Sequence, residues 1–298
     1  MVRDRSLSYR AVDWILYIIL TALALVCLLP FVHVVAKSLS DKASVAADIV
    51  GFLPIGFNTE NYAFLLNNRQ FMQSFVTSVV RVLLGITITL LITVITAYPL
   101  SRDRIHMPGR TIYKVMLLIG MLFSAGLIPY FLTIRNFGLY NNFLVLIIPG
   151  ALSIFNTILV MNFFRGIPVE LEEAAILDGA THLDILFRVF IPVSLPVLAT
   201  VTLFSAVGHW NSWFDGIIFL SSSDNWPLQS FMYSVVTTRM LEWQNSTGVQ
   251  DAARKFQQAT PQALVSAMIF IASFPIICVY PFLQRYFVTG LTIGSVKG

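Results

Sequence analysis

Glu170, Glu172, Glu173 and Asp178 crowd into "VELEEAAILDGA", a short acidic stretch lying between two long apolar runs. Carboxylates gathered in this way attract basic groups, and the surrounding residues suggest how they are displayed. Pro168 suits the first turn of a helix, because it lacks an amide proton that would go unpaired there. Glu170, Glu172 and Glu173 then fall at the positive end of the helix dipole, where negative charge is favoured. Ala174, Ala175, Ile176 and Leu177 continue the helix, and Gly179 supplies a left-handed stop. Thr181 followed by Asp184 forms a variant capping box that starts a second helix at once. The expected product is an elbow: a short acidic helix, a bend at Gly179, and a long helix acting as a stiff lever. Helices that lie on a lipid surface are usually rich in Lys and Arg, since the cytoplasmic leaflet is negative. An acidic one calls instead for a basic protein partner.

A second set of ionisable groups lies inside apolar runs. Arg81 interrupts one of them, and His209 and Asp215 come late in another. Charge in such a setting is costly, which makes each a functional candidate. Two readings of Arg81 stay open: a guanidinium lining a pore, or one paired to a neighbouring helix or a lipid headgroup. In "GHWNSWFDG", Trp210, Trp213 and Phe214 suit an interfacial belt or helix packing. The functional alternative has these rings, with Asn211 and Asp215, lining a translocation path. Thr77, Thr87, Thr89, Thr93 and Thr96 are read as helix packing, as are Cys27 and Cys278.

The elements that must position these groups follow from composition. Of 298 residues 57% are hydrophobic and 11% charged, and the mean hydropathy is +0.78; an ordinary soluble chain has about 25% charged residues. Six apolar runs meet the length needed to cross a bilayer: Val12 to Ala36, Phe71 to Leu100, Thr111 to Leu132, Asn142 to Phe164, Leu183 to Phe219, and Gln262 to Phe282. None alternates as a membrane β-strand would. The predicted class is an all-α membrane protein with six spans, the first run being a retained anchor. With the amino end inside, Arg3, Arg5, Arg10, Arg102, Arg104, Arg110, Lys114, Arg165, Arg188, Arg285 and Lys297 share the inner side. Lys37, Lys42, Arg69, Arg135, Arg239, Arg254 and Lys255 fall outside, mostly in longer loops that weigh least. Both termini and the acidic stretch are therefore expected in the cytoplasm. Pro192 and Pro196 should kink the fifth run.

Several activities lack their signatures. No GxxxxGK[ST] cradle is present, so the chain is not its own ATPase. His33, His106, His182 and His209 are scattered, and none is followed by glutamate. Nothing suggests nucleic acid, and the net charge of +4 is modest.

"EAAILDGA" at Glu173 to Ala180, with Phe187, Ile191, Pro192, Leu195 and Pro196 beyond it, resembles the EAA loop of permease subunits in binding-protein-dependent ABC importers. "AYPLSR", "IPYFLTIRNFGLYNN" and "FFRGIPVELEEAA" are similar to the carbohydrate-importing branch, and "QRYFVTGLTIGSVKG" resembles the tail of a maltose-type permease. The resemblance implies residues 1–70 as an amino-terminal tail, first span and external loop, and residues 71–298 as the permease core. Within the core it implies an EAA loop at 165–184, an external loop at 221–261 that meets the binding protein, and a cytoplasmic tail at 285–298. It implies that Glu172, Glu173, Ala174, Ala175, Asp178 and Gly179 seat a coupling helix on a separate ATPase, and that Gly290, Gly294 and Lys297 dock along it. Arg81, Trp210, Asn211, Trp213 and Asp215 become candidates for the substrate path. The implied partners are a second permease, two cytoplasmic ATPases carrying ATP and Mg, an extracytoplasmic solute-binding protein, the bilayer of a bacterial cytoplasmic membrane, and an oligosaccharide. No cofactor is expected on this chain. A self-sufficient secondary transporter is the alternative, distinguished by uptake that survives loss of an ATPase.

Overall fold

A computed structural model describes residues 7–103, 105, 107–245 and 262–294. The chain divides into two compact units, one drawn from Met1–Arg69 with Val235–Phe274 and the other from Gln70–Ser234 with Pro275–Gly298. Among the described residues every regular element is helical.

The first unit begins with α1 (Leu7–Ser38), whose residues 10–30 are exposed although almost wholly apolar. A helix of that kind is soluble only in lipid. Two short helices follow, α2 (Lys42–Ala46) and α3 (Glu60–Asn67). Asp41 caps α2 by accepting from the amides of Ala43 and Ser44 at 2.9 Å. The Ser44 hydroxyl also holds the Asp41 carboxyl below the usual carboxylate range. The cap is therefore complete at neutral pH and is lost only as pH falls through that lowered value.

The second unit is built around α4 (Arg69–Ser101), a continuous helix of 33 residues. At 1.5 Å per residue it spans about 50 Å, more than the hydrocarbon thickness. Its buried face carries small and polar residues at helical spacing, namely Ser74, Ser78, Arg81, Gly85, Thr89 and Thr93. Then come α5 (Arg110–Leu122), α6 (Leu127–Asn136), two 3₁₀ turns at Phe143–Leu146 and Ile148–Gly150, and α7 (Ile154–Arg165). The short acidic helix is α8 (Val169–Leu177), followed by α9 (His182–Ile185), a π-helical turn at Leu186–Phe190, and α10 (Ile191–Val193). The run continues as α11 (Leu195–Asn211) and α12 (Phe214–Phe219), and the chain then enters α13 (Leu228–Asn245) and α14 (Gln262–Gly294).

The six expected spans are only partly matched. Among the described residues three helices are long and apolar enough to cross a membrane, rising to five if two bent pairs each count as one span. Thr111 to Leu132, expected as one span, is divided between α5 and α6. Gly126 takes a left-handed φ of +82°, and Pro129 cannot donate to the carbonyl of residue 125, so helix cannot propagate through the join. The fifth run is broken harder than a kink: His182–Val193 and Leu195–Asn211 meet at 83°. Pro192 and Pro196 flank that break, and Pro196 lacks the amide that would have crossed it to the carbonyl of Pro192.

Two clusters hold the second unit together. Near the C-terminal end of α4, Val94, Ala97, Tyr98 and Leu100 pack with Val160, Met161 and Phe164 of α7 and with Ile185, Leu186 and Phe190 of the elbow. Phe164 and Phe190 are fully buried, and each contributes roughly 1.5–3 kcal/mol by its transfer from water. The second cluster joins Ile134 of α6, Val145 to Ile147, and Phe219 and Leu220 at the end of α12.

One expectation is revised by this architecture. Cys27 and Cys278 are exposed on apolar helices, not packed within the chain, because their faces of α1 and α14 turn outward. The stretch expected as the tail begins in helix: helical backbone runs through Gly290 to Gly294, since Leu291 and Ile293 prolong the apolar run. Lys297 lies outside the described residues, as do Arg254 and Lys255 of the expected external loop, of which α13 occupies Leu228–Asn245.

Candidate functional site

The acidic stretch folds as an elbow. Pro168 takes the N-cap position with extended backbone, α8 runs to Leu177, and Gly179 turns the chain with φ +79°. Thr181 and Asp184 form both bonds of the capping box, the Asp184 amide donating to Thr181 Oγ1 and the Thr181 amide to Asp184 Oδ2, each at 3.2 Å. Seating these caps stabilises a helix start by about 1 kcal/mol.

The six residues expected to seat an ATPase do not all face the same way. Glu173, Ala174, Asp178 and Gly179 are exposed and Ala175 is half-buried. Leu177 beside them is 88% exposed, an unusual cost for leucine unless something covers it. Glu172 departs from the expectation: it is only 1% exposed and lies against the chain's own Arg102. Helical geometry explains the split, since adjacent residues lie about 100° apart around the axis.

Arg102 sits just past the end of α4, and its surroundings were not legible as a site. Its Nε approaches Glu172 Oε2 at 3.3 Å as an ion pair without hydrogen-bond alignment. A second guanidinium nitrogen donates to the carbonyl of Ile167 at 3.0 Å, in the turn that leads into α8. The guanidinium carbon stands 4.7 Å from the centroid of the Phe190 ring. Phe190 is itself met edge-on by Tyr98 of α4 and Phe164 of α7, at 5.0 and 5.2 Å between centroids. In sequence Arg102 counted as one more inner positive charge and as the last residue of "AYPLSR", and neither reading gave it a partner.

Towards the other end of α4, Arg81 is paired. Its two terminal nitrogens reach both oxygens of Asp215, one at 3.1 Å, and the first also donates to the carbonyl of Ser212 at 3.3 Å. Ser212 Oγ and the amide of Gly216 donate to Asp215 as well, at 3.0 and 2.9 Å. The bidentate pair and its supporting donors satisfy the carboxylate and both terminal nitrogens, as a buried charge needs, while Arg81 Nε has no hydrogen-bond partner among the described residues. Of the two readings left open for Arg81, the structure shows the paired one, with the guanidinium 3% exposed.

The remaining path candidates separate. Trp210 is buried and meets Phe75 edge-on at 5.9 Å, so it is packing. Trp213 is exposed in part but stacks on Tyr233 at 4.0 Å, and only Asn211 is exposed without a ring partner. Nearby, α4 and α11 approach closely at Gly85, where an added Cβ would fall 2.5 Å from the His209 ring. Gly85→Ala should therefore destabilise the protein by about 1–3 kcal/mol through overpacking, read as a lower Tm in detergent. An unchanged Tm would show that the His209 ring swings aside freely.

Comparison with known proteins agrees with this architecture. Residues 9–293 match the family model described as the inner-membrane component of binding-protein-dependent transport systems. The chain is 35% identical over 97% of its length, and 99% of the relative's, to the polygalacturonan/rhamnogalacturonan transport system permease protein YtcP of Bacillus subtilis. It is 36% identical to protein LplC of the same organism, over 92% of this chain and 90% of that one. Among solved structures it is similar to a chain of a bacterial ABC transporter involved in import of the acidic polysaccharide alginate, with a TM-score of 0.83, 31% identity, and coverage of 96% and 100%. A long apolar α4, an acidic elbow and matches across nearly the whole chain lead to one assignment: this protein belongs to the family of inner-membrane permease components of binding-protein-dependent ABC transport systems.

Proposed function

We propose that this chain carries an oligosaccharide across the bacterial cytoplasmic membrane by alternating access, as one of two permease subunits in a complex with two ABC ATPases and an extracytoplasmic binding protein. Both termini face the cytoplasm, and the chain crosses six times if α5 and α6 together make one pass. ATP and Mg bind to the ATPases, and this chain supplies no catalytic group of its own.

The observation that carries this reading is the split personality of α8. Glu172 ties it inward to the permease while Glu173, Ala174, Asp178 and Leu177 are presented outward. An apolar tip ringed by carboxylates fits a cleft with a greasy floor and a basic rim. The sugar class is supported by relatives named for polygalacturonan/rhamnogalacturonan transport and for alginate import.

Affinity purification of the tagged chain from its own membranes, followed by mass spectrometry, tests the whole reading. Recovery of a second permease and an ABC ATPase, with a glycan retained in the presence of binding protein, is the expected result. A chain that purifies alone and transports in proteoliposomes without ATP overturns it in favour of a secondary transporter.

A further inference from the structure

The elbow cannot by itself be a stiff arm. Beyond Gly179 its second limb is interrupted by the π-helical turn at Leu186–Phe190 and then turns through 83° at Ser194. Pro196 removes a backbone bond across that break, so a push on α8 is absorbed there unless another route exists.

The other route is α4. On the reading that α8 is the coupling helix, we infer that Arg102 is a positioning residue: it fastens α8 to the inner end of α4 and makes α4 the rod that carries the motion. Arg102 touches three separate segments at once, namely Glu172 of α8, the Ile167 carbonyl of the preceding turn, and the Phe190 ring of the elbow. All four residues are buried, Arg102 at 6% exposure being the least so. A planar guanidinium is well suited to this, offering charge, donors and a flat face in one rigid group. The helix it grips is continuous from Arg69 to Ser101. Towards its far end α4 is gripped again: Arg81 holds Asp215 of α12, and Ser78 Oγ accepts the amide of Leu228 at the start of α13 at 2.8 Å. A rod held at both ends moves what it holds, so displacement of α8 reaches the segment around Asp215 and Leu228 without passing the break at Ser194.

The test is the number of ATP molecules hydrolysed per sugar moved, measured on the complete transporter in liposomes with Glu172→Gln, Arg102→Lys or Arg102→Met in this chain. The variants should bind the ATPases at normal stoichiometry, while the ratio rises by about fivefold or more, the lower end of ordinary coupling effects. A purely structural pair would lower yield or Tm but leave the ratio of surviving complexes unchanged, and that result overturns the inference. If these substitutions block assembly, Arg102→Cys with Glu172→Cys, in a chain with Cys27→Ser and Cys278→Ser, offers a covalent replacement. Bridging the two thiols with a short bis-maleimide should bring the ratio back towards normal; a ratio indifferent to bridging also overturns it. Loss of ATPase binding by the wild-type chain would instead strike the coupling-helix reading, so the two failures are distinguishable.

Discussion

Glu173→Ala and Gly179→Pro should each abolish sugar uptake while the protein still reaches the membrane. The two substitutions act on different physics at one place. Glu173 is exposed at the middle of α8, and on the coupling-helix reading its carboxylate meets a basic group of the partner ATPase. Truncating one member of a well-buried charged contact across an interface costs about 2 to 5 kcal/mol, because the partner cation is left unpaired. Each 1.4 kcal/mol is tenfold, so ATPase binding should weaken by roughly 30-fold or more. Gly179 works through the backbone. Its φ is +79°, where proline cannot follow, and its amide donates to the Ile176 carbonyl at 3.0 Å. Gly179→Pro loses that bond and re-aims α8 relative to the capping box at Thr181. The measurements are uptake in proteoliposomes, ATPase recovered on the tagged permease, and permease recovered in the membrane fraction. Normal uptake by both variants would remove α8 from the transport mechanism.

Asp215→Ala should be the most destabilising single change on the membrane side of the molecule. It strands the Arg81 guanidinium, 3% exposed, with only the Ser212 carbonyl to meet it. Breaking a buried pair from one side costs about 3–5 kcal/mol. Replacing both members by apolar residues, Arg81→Met with Asp215→Leu, removes the charge and its desolvation together and should recover most of the loss. Thermal unfolding in detergent reads the stability, and uptake by the double variant reads the function. Recovery of both would make the pair a structural tie between α4 and α12. Recovered stability without recovered uptake would show that transport needs the charges themselves, and a small effect of Asp215→Ala alone would show that water already reaches the pair.

Much of the acidic elbow was written locally. Proline before the helix, carboxylates in its first turn, glycine after it and Thr181 with Asp184 are all short-range signals, and each corresponds to a backbone feature of the fold. Local signals work there because caps and left-handed turns are settled within a few residues. The division of labour between Glu172 and Glu173 was not legible. Both are adjacent carboxylates, and only the contact of α8 with Arg102, itself held over the Phe190 ring, decides which is turned inward.

The same boundary runs through the membrane region. Composition alone required helices in a bilayer, since no soluble chain tolerates so much apolar and so little charged residue, and the exposed apolar surface of α1 is what that requirement looks like in three dimensions. Hydropathy says where a segment is apolar but not whether its helix is unbroken, and it read Thr111 to Leu132 and Leu183 to Phe219 as single spans where the backbone breaks. Pairing is beyond sequence for a further reason: Arg81 and Asp215 lie 134 positions apart, as do many residues that never meet. What sequence determined was the solvent each segment requires and the local shape of the turns. The tertiary structure decided which charges neutralise one another, because in a low-dielectric interior that outcome depends on distances of a few ångströms between groups remote along the chain.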